Sequence, residues 1–131
     1  MPKERLGMND IVLVTLSPIT EGCDIAICSD LRNQVTRLYW ENRSSKIIKN
    51  RFQIYQSGAS PVSEDIEECF NILSQCGRLE TILGKREYIV HPWNETCEDI
   101  KKRAVISAED YNFLISLGRR IEVEHKYREV K

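Results

Sequence analysis

The sequence lacks the long apolar runs and the catalytic signatures that assign many chains to a class on first inspection. None of its apolar stretches approaches the ~20 residues that a membrane-spanning helix needs. No phosphate-binding loop, dinucleotide fingerprint or nucleophile elbow occurs in its 131 residues. We therefore expect no membrane association, no cofactor and no enzymatic activity.

Cysteine is present, but not in a pattern that indicates a bridged or metal-bound fold. The five cysteines, at positions 23, 28, 69, 76 and 97, are odd in number and match neither CxxC pairs nor a zinc motif. No secretory apolar core follows the first residues. We expect five reduced thiols, no metal site and an intracellular protein of the cytoplasm or nucleus rather than a secreted one.

The composition excludes two further classes. A content of 41% hydrophobic and 30% charged residues is ordinary for a globular protein and argues against disorder. The formal net charge of -1 offers no overall attraction to nucleic acid, so any such binding must be local. At this length we expect one domain over residues 1–131, with residues 1–8 and 125–131 frayed.

The first 56 residues show patterns typical of strands. Residues 10–17 are dense in β-branched side chains, and residues 23–29 alternate between apolar and polar positions. Residues 35–56 alternate on both sides of a polar loop at 41–45, which predicts a β-hairpin. Together these patterns predict four successive strands in an antiparallel meander.

The period of the pattern changes after the breaker cluster that ends at Pro61. Ser63, followed by acidic residues, is typical of a helix N-cap, and Ser107 has the same character. We expect a helix at residues 63–76, a short β-hairpin at 79–90 and a loop at 94–103. A short strand at 103–106 and a C-terminal helix at 107–121 follow.

Strands followed by helices predict an α+β fold with a mainly antiparallel sheet. The chain order is a four-strand meander, a helix, a short β-hairpin and a C-terminal helix. Residues 122–131 alternate in charge and could extend the last helix into solvent.

The 35–56 hairpin is the strongest candidate for a binding surface. Six lysines or arginines and one acid, Glu41, lie between residues 32 and 56. We consider three interpretations: a solvated sheet face, a protein-partner surface, and a surface that stacks bases of single-stranded nucleic acid on tyrosines while cations hold phosphates. The side chains expected on this face are Arg37, Tyr39, Lys49, Arg51 and Tyr55.

The C-terminal helix is a candidate oligomerisation element. Tyr111, Leu114 and Leu117 form one apolar stripe, and Phe113 falls on another side. A second apolar side indicates either full burial or a partner. The free edge of the meander offers a further way to form a homodimer.

His91 is the remaining candidate for chemistry. Glu95, Cys97, Glu98 and Asp99 follow it closely, but the spacing matches no metal-ligand rule. Packing at a strand end is the alternative to a hydrolase or nuclease site, and we assign no catalytic residue. We predict a small non-enzymatic interaction protein that binds a protein partner or itself, with single-stranded RNA or DNA binding as the alternative.

Overall fold

The computed structural model describes residues 4–82, 86–92 and 94–128, and it has an α+β fold with an antiparallel sheet. The predicted fold class is therefore confirmed. Within these residues the helices are α1 (Met8–Leu16), α2 (Leu31–Glu41), α3 (Lys46–Lys49), α4 (Glu64–Gln75), α5 (Asn94–Arg103) and α6 (Ala108–Gly118), and a turn of 3-10 helix (Ser17–Thr20) follows α1. The described helices include none with the length and apolarity to cross a membrane.

The principal sheet draws its strands from distant parts of the chain. Its four strands lie in the order β5-β6-β2-β8, and every neighbouring pair is antiparallel. A small hairpin joins β3 to β4, and β1 pairs with β7 in parallel. The strands are β1 (Glu4–Arg5), β2 (Ile25–Ser29), β3 (Tyr55–Ser57), β4 (Ser60–Val62), β5 (Leu79–Thr81), β6 (Glu87–Val90), β7 (Ala104–Val105) and β8 (His125–Tyr127).

The core is built around α1, although a strand was predicted there. Every residue from Asp10 to Thr20 is buried, and α1 packs against α4, α5 and α6. A short run that is apolar on all sides suits a buried strand and a buried helix equally, and periodicity cannot separate them. The segment is helical because helices surround it, and a helix satisfies its backbone hydrogen bonds internally, without a neighbouring strand.

The predicted hairpin at 35–56, and with it the four-strand meander, is wrong. Of the four predicted strands, only 23–29 forms one, as β2, whereas α2 and α3 occupy half of the hairpin region. Leu31, Val35, Leu38 and Tyr39 are buried at helical spacing. The apparent alternation was one face of an amphipathic helix sampled over too short a window.

The second half of the chain agrees more closely with prediction. The backbone N–H of Ile66 donates to Ser63 Oγ at 3.3 Å, and that of Asp110 donates to Ser107 Oγ at 3.0 Å, so both predicted caps are confirmed. Strands β5 and β6 form the predicted antiparallel pair. The tip of the predicted 79–90 hairpin, at residues 83–85, falls outside the described residues.

Two predictions in this half are wrong. Residues 94–103 form α5 rather than a loop, because Cys97 and Ile100, three apart, bury one face of an otherwise polar helix. The tail does not extend α6 but turns back, and β8 pairs with β2. Within the termini where fraying was predicted, Glu4–Arg5 pairs with β7 and His125–Tyr127 forms β8.

Candidate functional site

The five side chains predicted to form a basic-aromatic strand face do not share one surface. Arg37 is exposed on α2, Lys49 is exposed on α3, and Arg51 is half-buried in the loop that follows. Tyr55 is 55% exposed on β3. Tyr39 has no exposed area, so the prediction that it stacks on bases is wrong.

Tyr39 belongs to the core instead. Its ring lies 5.1 Å from that of Phe52, and its hydroxyl hydrogen-bonds Thr15 Oγ1 on α1 at 2.6 Å. Burial raises the pKa of this hydroxyl above its ordinary range. The tyrosine therefore holds α2 against α1.

The predicted oligomerisation residues also pack against the chain's own core. Leu114 and Leu117 are buried in the core, where α6 packs against α1. Tyr111 and Phe113 are half-buried and pack against the same core, and Lys101 Nζ lies 4.0 Å above the Tyr111 ring. Leu114 and Leu117 are thus unavailable to a partner, because the interior of the chain already covers them.

An apolar surface that the sequence did not indicate lies on the principal sheet. Ala26 and Cys28 of β2 are fully buried, so the core lies on their side of the sheet. The alternating residues Ile25 and Ile27 point to the other side and are half-buried. Ile89 of β6 pairs with Ile27 and shares this side, which we call the outer sheet face.

The outer sheet face has an ordered row across all four strands. Glu80 of β5 pairs with Ile89, Ile89 pairs with Ile27, and Ile27 pairs with His125 of β8. Partners in antiparallel strands point to the same side. The row therefore reads glutamate, isoleucine, isoleucine, histidine, with a polar residue at each end.

Polar groups flank this row on both edges. His91 Nε2 lies 3.4 Å from Glu80 Oε1, so the histidine that the sequence singled out borders the outer sheet face. Tyr127 is 51% exposed, pairs with Ile25, and has its ring 6.0 Å from the ring of His125. This rim of hydrogen-bonding groups around an apolar centre is the usual anatomy of a contact surface.

The acidic residues whose side chains are described after His91, Glu98 and Asp99, do not form a metal site with it. Among the described residues no group of three or more histidine, cysteine, aspartate or glutamate side chains could hold a metal ion. Cys97 is buried in α5, and burial raises the pKa of its thiol.

A cleft lies between α2 and the segment that leads to β8. It measures about 370 Å³ and is lined by several charged groups that pair with one another. Arg120 bonds Glu41 at 3.3 Å, and Ser29 Oγ donates to Glu124. These pairs hold the C-terminal segment against α2 and β2, which is a structural role.

A second surface concentrates positive charge. Residues 43–56 contain four basic side chains and no acid, whereas the whole chain carries -1. The Arg43 guanidinium lies 4.0 Å above the Trp40 ring, and its Nη1 donates to the Trp40 carbonyl at 2.7 Å. Beside it is a depression of about 290 Å³ whose lining residues are Arg43, Ser44, Ile48, Lys49, Phe52 and Ile54.

Comparison with known proteins gives no match to a family model, to a curated protein or to a solved structure. The outer sheet face was missed because it depends on β2 pairing with β6 and β8, both of which lie far from β2 in the chain. The only local signal was the alternation within 23–29.

Proposed function

We propose that this protein is a small, non-enzymatic, intracellular interaction module that associates with a second copy of itself through the outer sheet face. The observation that carries the proposal is the row of Glu80, Ile89, Ile27 and His125. The five free cysteines support an intracellular location, since unpaired thiols are typical of reducing compartments.

Two copies of this row are complementary when they face each other in opposite order. A two-fold axis parallel to the strands, between β6 and β2, sets each Ile89 opposite the partner's Ile27. The same axis sets each Glu80 opposite the partner's His125, so a carboxylate meets a hydrogen-bond donor at both ends. A symmetric dimer needs this kind of self-complementary patch, and sheets pack face to face with their strands nearly aligned.

The size of the face predicts weak association. Four strands at the usual spacing span about 15 Å, so the patch falls well below the ~800 Å² that each partner buries in a standard interface. Burying the remaining exposed part of each isoleucine, which is already more than half buried, contributes on the order of 1 kcal/mol. We therefore expect a dissociation constant of about 10 to 100 µM rather than nanomolar affinity.

Sedimentation equilibrium over a concentration series tests this proposal. The unaltered protein should shift from 15.3 kDa towards twice that mass as its concentration rises. Ile27→Glu should remain monomeric, because it buries an unpaired charge at the centre of the face. The matched control is Val105→Glu, which changes an apolar residue that is 65% exposed on β7 and should leave association intact.

Two results would contradict the proposal. One is a single 15.3 kDa species at every concentration, and the other is equal association by the Ile27→Glu variant and the unaltered protein. Circular dichroism confirms that each variant is folded before its mass is compared.

A second candidate function is the binding of single-stranded nucleic acid. The observation that favours it is the acid-free basic segment at 43–56. Binding to mixed-sequence oligonucleotides that weakens steeply with salt supports this function, because phosphate contacts release counterions. Absence of binding at low salt removes it.

A further inference from the structure

We propose that single-stranded nucleic acid binds along the surface around α3, with a base in the depression between Arg43 and Lys49 and phosphates on the flanking cations. This inference rests on the second candidate function and names its site. It replaces the predicted strand face, since Tyr39 is buried and Arg37 lies in a different cleft.

The cations of this surface are free to meet a polyanion. Arg43, Lys46 and Lys49 are exposed, and no ion pair links any of them to another side chain in the described part of the chain. In an ordinary solvated face such charges alternate with acids, as Arg119 does with Glu21 at 3.3 Å. One carboxylate from α4 lies near this surface, where Asp65 Oδ2 accepts from the Gln53 N–H at 2.8 Å, but the three cations outnumber it. The excess positive charge raises the local potential, and a bound polyanion relieves it.

Like charges meet on the far side of α3 as well. Arg5 and Arg51 line a shallow second depression of about 440 Å³, which Asn50 joins to the α3 surface. Partial burial lowers the pKa of Arg51, and the nearby charge of Arg5 lowers it further, although buried Asp10 offsets part of this effect. A phosphate between the two arginines would reduce their repulsion.

The depression beside Arg43 suits a base rather than a phosphate alone. Ile48, Phe52 and Ile54 give it an apolar floor. Trp40 supports one face of the Arg43 guanidinium at 4.0 Å and so leaves the other face for a ligand. Bases stack on guanidinium planes as well as on aromatic rings, which requires them to be unpaired.

The shape of the surface disfavours a duplex. Helix α3 has four residues, a single turn, and is too short to enter a major groove as a recognition helix does. An acidic peptide would satisfy the cations but would leave the apolar depression unfilled. Single-stranded nucleic acid uses both features.

Fluorescence anisotropy with mixed-sequence oligonucleotides, read over a salt series, tests the site. The variant Arg43→Ala with Lys46→Ala and Lys49→Ala should bind at least about tenfold more weakly, with a salt slope reduced by about two units. The control Arg37→Ala with Lys102→Ala and Lys126→Ala removes three exposed cations elsewhere and should retain most of the affinity. Both are checked for folding by thermal denaturation.

A second pair of measurements tests the base pocket itself. Arg43→Lys keeps the charge but loses the planar group, so oligonucleotide affinity should fall while binding of inorganic polyphosphate is unchanged. Equal affinity of Arg43→Lys and the unaltered protein overturns the base pocket. Equal loss of oligonucleotide affinity in the two triple variants would contradict the location of the site but not the function. Absence of binding by the unaltered protein at low salt would contradict both.

Discussion

The backbone of Gly118 lies directly against the carbonyl oxygen of Thr15, at the point where α6 crosses α1. A Cβ at position 118 would overlap that oxygen and would stand 3.0 Å from two ring carbons of Pro18. The close approach of the two helices therefore requires glycine. It also brings Leu114 and Leu117 into the core.

We expect Gly118→Ala to lower the free energy of unfolding by about 2 to 3 kcal/mol, because the overlap is with backbone that cannot move aside. Asn112→Ala, at an exposed position on the same helix, should change it by less than ~0.5 kcal/mol. Urea denaturation measures both. Equal stability of the two variants would show that α6 does not approach α1 so closely.

The buried hydrogen bond between Thr15 and Tyr39 predicts that removing one partner costs more stability than removing the other. Thr15 Oγ1 also donates to the Ile11 carbonyl at 2.9 Å, so Tyr39→Phe leaves the threonine with a partner and should cost about 1 kcal/mol. Thr15→Val leaves the Tyr39 hydroxyl buried without its partner and should cost about 2 to 3 kcal/mol. The double variant should cost less than the sum of the two, and simple additivity in urea denaturation would argue against a direct bond.

The buried thiols predict a loss of stability in alkali. Burial, reinforced by the negative charges of Asp65 and Glu68, raises the pKa of Cys69 to about 12, and burial beside Glu124 raises that of Cys28 to about 12. These thiols ionise from about pH 9 upward when the chain is unfolded, but remain protonated in the fold. The free energy of unfolding should therefore fall as the pH rises from about 9 towards 12.

The measurement is denaturant unfolding at several pH values across that window. Cys69→Ala should show a shallower decline than the unaltered protein, and Cys76→Ala, which removes an exposed thiol, should not. Identical pH dependence in the Cys69→Ala variant and the unaltered protein would rule out this contribution.

The parts of the fold that the sequence predicted correctly are those that local chemistry determines. Ser63 and Ser107 mark helix starts because a hydroxyl must accept an orphan N–H, and that requirement needs only three neighbouring residues. Segment 10–17 was mispredicted because β-branched residues favour strands, but burial among three helices overrides that preference.

The candidate surfaces were less predictable because they depend on distant contacts. Tyr39 looked exposed only under an assumed strand alternation, whereas its spacing of eight residues from Leu31 fits the buried side of a helix. The row from Glu80 to His125 could not be inferred locally, because nearly 100 residues separate β2 from β8 in the chain. The basic segment was found, since an excess of one charge is visible in sequence alone.

The proposed two-fold arrangement predicts that Glu80 meets the partner's His125 in the dimer. Glu80→Lys and His125→Glu should each weaken association by about tenfold. The first sets two basic side chains opposite each other, and the second sets two carboxylates opposite each other. The double variant restores an opposite pair and should recover most of the affinity. Glu67→Lys serves as the control, because it reverses an exposed charge on α4, where Glu67 pairs with Arg32 at 3.5 Å outside the outer sheet face, and it should leave association unchanged.

Sedimentation equilibrium of this charge-swap set, on variants checked for folding, tests the proposed dimer. We expect dimers for the unaltered protein and for the double variant, and predominantly monomers for both single variants at the same concentration. A double variant that associates no better than either single variant, or an unaltered protein that stays monomeric throughout, would contradict it.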